Sequence, residues 1–125
     1  MIHLDANFLI DGVVARTSES ADIIDWLSEG EVIACSSIVW LEFLNGPVVA
    51  DHERVARERF LIGGILPFDE KQAALAARFF NLTGRRRSLK FDCLIAAAAV
   101  ASGARLATRN TADFQPFISL GLQLA

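Results

Sequence analysis

Short uninterrupted apolar runs alternate along this chain with longer stretches in which apolar residues return at helical spacing. Residues 1–5 form a run of the first kind ending in an acid, read as a strand with a short helical turn after it through Ile10. Residues 19–29 set Ile23, Ile24 and Leu27 at helical spacing, which predicts an amphipathic helix closed by Gly30; its acids Glu19, Asp22 and Glu29 read as a solvated face. Residues 32–35 are a second β-type run, and Ser36 or Ser37 offers an N-cap for a helix over 38–45 that ends at Gly46-Pro47. A charged helix is expected over 51–62, with Val55, Phe60 and Leu61 as part of an apolar stripe and Gly63-Gly64 as its break. A third strand over 65–68 follows, and Asp69 with Gln72 three positions later has the spacing of a capping box for a helix over 70–82. A basic loop over 84–88 leads to an alanine-rich helix over 91–102 stopped by Gly103. A strand over 105–108, a helix or loop over 111–117 and an edge strand over 120–124 complete the pattern.

Strands alternating with helices predict a three-layer α/β/α sandwich around a central, mainly parallel sheet, with residues 1–125 as one domain. Short continuous apolar strands suit a sheet covered on both faces. In such a sheet the functional crevice lies at the carboxyl ends of the strands, where the order of connection reverses. The run Ala96 to Ala99 would let its helix approach the sheet closely.

Apolar residues are 53% of the chain and charged residues 22%, which excludes a disordered or solvating polymer. No apolar stretch reaches the roughly 18 residues of a membrane span, and Asp5 interrupts the first apolar run, so no membrane partner and a cytoplasmic location are expected. Cys35 and Cys93 lack metal-ligand spacing and read as buried free thiols. Twelve basic against fifteen acidic residues give a net charge of −3, which argues against a protein that coats nucleic acid over its whole surface but leaves room for a local basic track. His3 and His52 have no nucleophile or ligand spacing around them, and Trp26 and Trp40 read as core.

Four acids stand in or beside strongly apolar sequence: Asp5 in IHLDANFLI, Glu42 in SIVWLEFLNG, Asp92 in KFDCLIAAAAV and Asp113 in TRNTADF. A buried carboxylate without a partner costs several kcal/mol or takes up a proton, whereas a divalent cation lets a group of them remain ionised together. Each also has a plainer reading: Asp5 as a helix cap, Glu42 as the partner of an arginine, Asp92 as a first-turn acid facing the helix dipole, Asp113 as a turn residue. One shared cation accounts for all four at once. Oxygen donors of this kind suit Mg²⁺ or Mn²⁺.

Together, in this order, LDANFLI, SSIVWLEFLNG, FDCLIAAAAVASGARLAT and TRNTADF resemble the PIN domain family, and more narrowly the VapC-like toxin ribonucleases of bacterial toxin–antitoxin pairs. The resemblance covers the whole chain. It implies a metal-dependent endoribonuclease whose acidic pocket holds Mg²⁺ or Mn²⁺, leaves a 5′-phosphate on its product, dimerises, and is silenced by a cognate antitoxin. Asp5 and Asp92 match the firmest ligand positions and Glu42 the acid that completes the pocket or positions water. The fourth position is shared between Asn110 and Asp113; Asp113 is favoured, with Asn110 and Thr108 as supporting polar residues. Ala6 departs from the pattern, since relatives often carry a Thr there that orients the pocket.

Arg85, Arg86, Arg87 and Lys90 form the only dense basic cluster and lead directly into Asp92, with Arg109 beside the fourth acid. Arginine forks suit the phosphates of an RNA substrate, and a solvated loop is the plain alternative. Residues 19–29 and 51–62 are candidate docking surfaces for the antitoxin. A phosphatase that forms an aspartyl phosphate would want a second Asp two residues after Asp5, where Asn7 stands. The remaining alternative is a catalytically silent module of the same fold that acts only as an interaction partner.

Overall fold

The computed structural model describes all of residues 1–125. Five strands form one parallel sheet: β1 (Ile2–Leu4), β2 (Ile33–Ser36), β3 (Ile65–Leu66), β4 (Arg105–Ala107) and β5 (Gln123–Leu124), in the spatial order β3-β2-β1-β4-β5. Ile2 lies opposite Ile33 on one side and Arg105 on the other. The central strands are short and almost wholly apolar, as expected for a sheet shielded on both faces. His3 is the exception: it is buried in β1 with its Nε2 unpaired, and burial together with the nearby N-terminal ammonium lowers its pKa to about 4. Its imidazole is therefore neutral in the fold at pH 7.

Seven α-helices connect the strands: α1 (Ala6–Gly12), α2 (Ser18–Ser28), α3 (Ser37–Leu44), α4 (Ala50–Val55), α5 (Glu70–Leu82), α6 (Lys90–Ala101) and α7 (Thr111–Ile118). α1 packs against α2 and α3, whereas α6 packs against α5 and α7. The chain moves outward from β1 to β3, then crosses to β4 and continues to β5, and right-handed crossovers in opposite directions put the two helix groups on opposite faces. The three-layer α/β sandwich expected from the alternation is the observed fold. No helix is long and apolar enough to cross a membrane.

The core runs through all three layers, with Phe43, Leu9 and Ile23 on one side of the sheet and Phe79, Phe114 and Phe117 among the buried aromatics contributed by α5 and α7. Ala96, Ala97, Ala98 and Ala99 are all buried, so α6 is enclosed on nearly every side, and methyl side chains are what let it contact β2, β4 and three helices at once. Both cysteines are free and buried. Trp40 is buried against Phe43, and Trp26 stacks on Phe8, as core residues do.

The local signals with a nearby partner appear as expected. Ser36 Oγ accepts the Val39 N–H at the start of α3, and Asp69 Oδ1 accepts the Gln72 N–H at the start of α5. The last strand is shorter than expected, Gln123–Leu124 in place of 120–124, and three further differences bear on the core and the site. The helix expected over 51–62 is α4 followed by a π-helical turn, Ala56–Phe60, in which the Leu61 N–H reaches back to the Ala56 carbonyl; the wider turn carries Ala56, Phe60 and Leu61 into the core. β3 stops at Leu66 because Pro67 has no N–H to offer the ladder. Glu19 is not on a solvated face: it faces Arg109, 3.3 Å from the guanidinium Nε.

Gly63 packs under β2 so closely that a Cβ there would stand 2.7 Å from Val32 Cγ1 and 3.0 Å from the Ile33 carbonyl oxygen, while its N–H donates to that same carbonyl. Gly63→Ala should therefore lower the unfolding free energy by about 1–3 kcal/mol, as overpacking does. Urea denaturation checks this, and an unchanged midpoint would show that the β2–β3 edge yields freely.

Candidate functional site

The strand order reverses between β1 and β4: the chain leaves β1 toward β2 and β3 on one side, and β4 leads to β5 on the other. A crevice must open at their carboxyl ends, because the connections diverge there. Asp5 is the first residue after β1, and Thr108 the first after β4. The Asp5 N–H donates to the Ala107 carbonyl at 2.9 Å, which extends the ladder to the rim of this crevice.

Asp5 is buried and held from two directions. Its Oδ1 accepts the Ala6 N–H at 2.8 Å, capping α1, and its Oδ2 accepts the Thr108 hydroxyl at 2.8 Å. The same hydroxyl oxygen accepts the Asn110 N–H at 3.0 Å, so β1 and β4 are tied through one threonine. With Ala at position 6, the Asp5 carboxylate is oriented by a backbone N–H and by the Thr108 hydroxyl from just after the neighbouring strand. Burial pushes the Asp5 carboxyl up, and these two donors draw it back toward the ionised form.

A cavity of about 640 Å³ opens above Asp5. Its acids are Asp5, Glu42 from α3 and Asp92 from the first turn of α6; Asn7, Asn45 and Asn110 supply amides, and Ile10, Ile95 and Phe91 apolar surface. Glu42 and Asp92 are half-buried. Burial, and then the charge of Asp5, raises the Glu42 carboxyl. Asp92 is raised to about 6 by burial first, then by the charges of Asp113, Asp5 and Glu42. The two donors offset part of the effect of burial on Asp5, whereas Glu42 and Asp92 are raised by burial and by neighbouring negative charge together.

The four acids expected to share one site thus divide into three that line the cavity and one that does not. Asp113 is exposed in the first turn of α7 and acts on Asp92 through space, while Asn110 lines the cavity directly. No three His, Cys, Asp or Glu side chains gather closely enough to enclose a metal ion. The donor set is entirely hard oxygen and mutually repelling, which fits a hydrated divalent cation held through one or two carboxylates and its own waters rather than a closed cage of side chains. Asn7 and Asn45 did not stand out in the sequence, because an asparagine at a helix start or end is ordinary until the fold aims it into a cavity.

Arg85, Arg86, Arg87 and Lys90 are exposed on the approach to α6 and form no ion pair. Arg85 donates to Asn81 Oδ1 and lies over the Phe80 ring with Lys90. Arg109 is engaged differently: its guanidinium bonds Asp11 and faces Glu19, joining the loop after β4 to α1 and α2.

The PIN domain family model matches residues 2–115. No curated protein sequence matches the chain. Among solved structures, FitAB bound to the IR36 DNA fragment is similar at 26% identity with a TM-score of 0.72, over 100% of this chain and 94% of that one. FitAcB from Neisseria gonorrhoeae is similar at 26% identity with a TM-score of 0.71, over 100% of this chain and 97% of that one. A toxin–antitoxin complex from Klebsiella pneumoniae shares the fold at 24% identity and a TM-score of 0.69, over 92% of this chain and 91% of that one.

Two predictions follow from the site's electrostatics in the metal-free protein. Thr108→Val leaves Asp5 buried with one donor fewer and should cost about 1.5–3 kcal/mol, the usual worth of a hydrogen bond to a charged group, read by urea denaturation at pH 7. The Asp92 carboxyl is raised in the fold, so between its unfolded pKa, near 4, and about 6 the native state binds more protons than the unfolded state, and this group's contribution falls as pH rises. His3, lowered to about 4, contributes with the opposite sign, because its neutral form is favoured and stability is lost on acidification. The difference between wild type and Asp92→Asn isolates the first effect. The variant should gain stability over wild type progressively from about pH 4 to about 6 and hold that gain above it; a pH-independent difference would contradict the raised pKa.

Proposed function

The chain belongs to the PIN domain family, and from that premise we propose that it is a metal-dependent endoribonuclease, the toxin of a toxin–antitoxin pair. The observation that carries this reading is the convergence of Asp5, Glu42 and Asp92 on one cavity at the point where the strand order reverses. Three carboxylates in a half-buried pocket repel one another, and a divalent cation is the economical relief.

In this reading Asp5 and Asp92 hold Mg²⁺ or Mn²⁺ and Glu42 completes the pocket, with Asp113 as the fourth acid beyond the rim and Asn110 between them. A bound ion supplies positive charge and Lewis acidity at a phosphodiester, where negative charge grows as the bond is exchanged. Asp5 is the fixed point, since Ala6 and Thr108 set both of its oxygens. Glu42, with its carboxyl already raised, is suited to orient the attacking water and take its proton. Arg85, Arg86, Arg87 and Lys90 offer phosphate contacts on the side from which α6 begins, and the product carries a 5′-phosphate. Arg109 joins that track only by leaving Asp11 and Glu19.

The toxin assignment is supported by the likeness to FitAB and to the toxin–antitoxin complex from Klebsiella pneumoniae. It makes a cognate antitoxin and a second copy of the chain the expected partners, in the cytoplasm. Ile24 on α2 and Ile62 after the π-helical turn are exposed apolar residues on the two segments that the sequence marks as docking surfaces. The alternative, a silent pocket in an interaction module, is favoured by one observation, that the acids do not close on a common point.

Cleavage and metal binding separate these readings. Asp5→Asn and Asp92→Asn should each reduce RNA cleavage on the order of a hundred-fold or more, since even the outer partners of metal ligands are worth 10- to 100-fold. Circular dichroism should stay that of wild type; a silent module would show no metal-dependent cleavage to lose. Mn²⁺ at about a hundred times its Kd should stabilise the wild type by about 2.7 kcal/mol and Asp92→Asn far less, as read by thermal unfolding.

A further inference from the structure

Of nine phenylalanines and two tryptophans, Phe91 is the one that stands exposed, with half of its surface (50%) open to solvent. The other aromatics are buried or partly buried, and Phe91 takes no part in the core cluster or in the ring of partly buried residues packed on it. It occupies the first turn of α6, directly before Asp92, and both residues line the acidic cavity. Core packing does not account for an aromatic in this place, and leaving its ring in water is unfavourable.

Successive residues on a helix point about 100° apart, so Phe91 faces the cavity to one side of the Asp92 carboxylate. A nucleotide has the same division of chemistry. Its phosphate belongs near cations, here basic side chains and a divalent ion held by the carboxylates, and its base, a few ångströms to the side, offers a π-face and a hydrogen-bonding edge. The cavity presents acids in one sector, Phe91 with Ile10 and Ile95 in another, and the amides of Asn7, Asn45 and Asn110 around them. The unpaired cations Arg86 and Arg87 precede Phe91 in the chain, so a strand followed from the basic loop toward Asp92 passes its ring.

We propose that Phe91 is a stacking platform for the base next to the scissile phosphate. The inference rests on the nuclease reading given above. A base within a duplex has both faces covered by its neighbours and cannot stack on a side chain without first being extruded, whereas an unpaired base can. Stacking on an aromatic tolerates any base, so Phe91 selects for strandedness, and the surrounding amides are placed to read the base edge.

The test compares wild type with Phe91→Ala, Phe91→Leu and Phe91→Trp, using a labelled single-stranded RNA with or without an abasic nucleotide beside the cleavage point. Cleavage is measured with Mn²⁺, and binding by fluorescence anisotropy with Ca²⁺ in its place. Phe91→Ala and Phe91→Leu should each lose roughly 10- to 100-fold in kcat/KM and in affinity, the usual worth of one stacked base, and Phe91→Trp should retain both. The abasic nucleotide should weaken the wild type to a similar degree and Phe91→Ala no further. Leucine serving as well as phenylalanine, or an abasic penalty that persists in Phe91→Ala, overturns the proposal. If Asp5→Asn abolishes cleavage while the Phe91 variants cleave and bind as wild type, the platform is refuted and the nuclease reading stands. If wild type does not cleave RNA, the nuclease reading falls and the placement of Phe91 beside a scissile phosphate falls with it, whether or not RNA still binds through the ring. Loss of self-association or of a protein partner with RNA handling unchanged makes Phe91 an interface residue and overturns the proposal.

Discussion

A carboxylate buried at the end of a sheet is the constraint around which this molecule is arranged. Asp5 is placed there by the register of β1 between β2 and β4, and burial alone would drive it toward protonation. The Ala6 N–H and the Thr108 hydroxyl oppose that drive. Because one donor comes from α1 and the other from the strand across the switch point, the charge on Asp5 depends on the two halves of the sheet being joined correctly. Folding and the electrostatics of the cavity are in this respect one event.

The other two acids reach the cavity from helices, and each helix is positioned by a different device. α3 is capped by Ser36, the last residue of β2, whose hydroxyl closes its first turn, so Glu42 falls at the rim of the crevice. α6 carries Asp92 in its opening turn, where the positive end of the helix offsets part of the repulsion from Asp5 and Glu42. The four consecutive buried alanines bring the axis of α6 close under the sheet, and a bulkier sequence there would hold Asp92 further from Asp5. Small side chains deep in the core thus determine a spacing at the surface.

What the sequence makes legible follows the distance over which each signal acts. The capping of α5 by Asp69 and of α3 by Ser36 involves partners three residues apart, and both appear where the pattern puts them. The alternation of strand and helix yields the sandwich because handedness and coverage leave few other arrangements. Asp5, Glu42 and Asp92 could be singled out because acids in apolar surroundings carry a cost that demands a reason. The pairing of Glu19 with Arg109 spans most of the chain, and so an acid in a polar helix face reads as solvated until the fold brings its partner. Asn7 and Asn45 were silent for the related reason that neutral amides bear no comparable penalty anywhere along a helix end. The π-helical turn at Ala56–Phe60 depends on how three core residues pack, which no local spacing encodes.

Cys35 and Cys93 have a practical side. Burial pushes the Cys35 thiol up to about 12 against the opposing pull of Arg57, and the Cys93 thiol is raised as well. Both side chains are buried, which disfavours the thiolate that an alkylating reagent attacks. Cys35 lies within the sheet, whereas Cys93 lines a small cavity between α5 and α6, so a cysteine introduced at the exposed end of α7, as in Ser119→Cys, is the more accessible attachment point for a spin label or fluorophore.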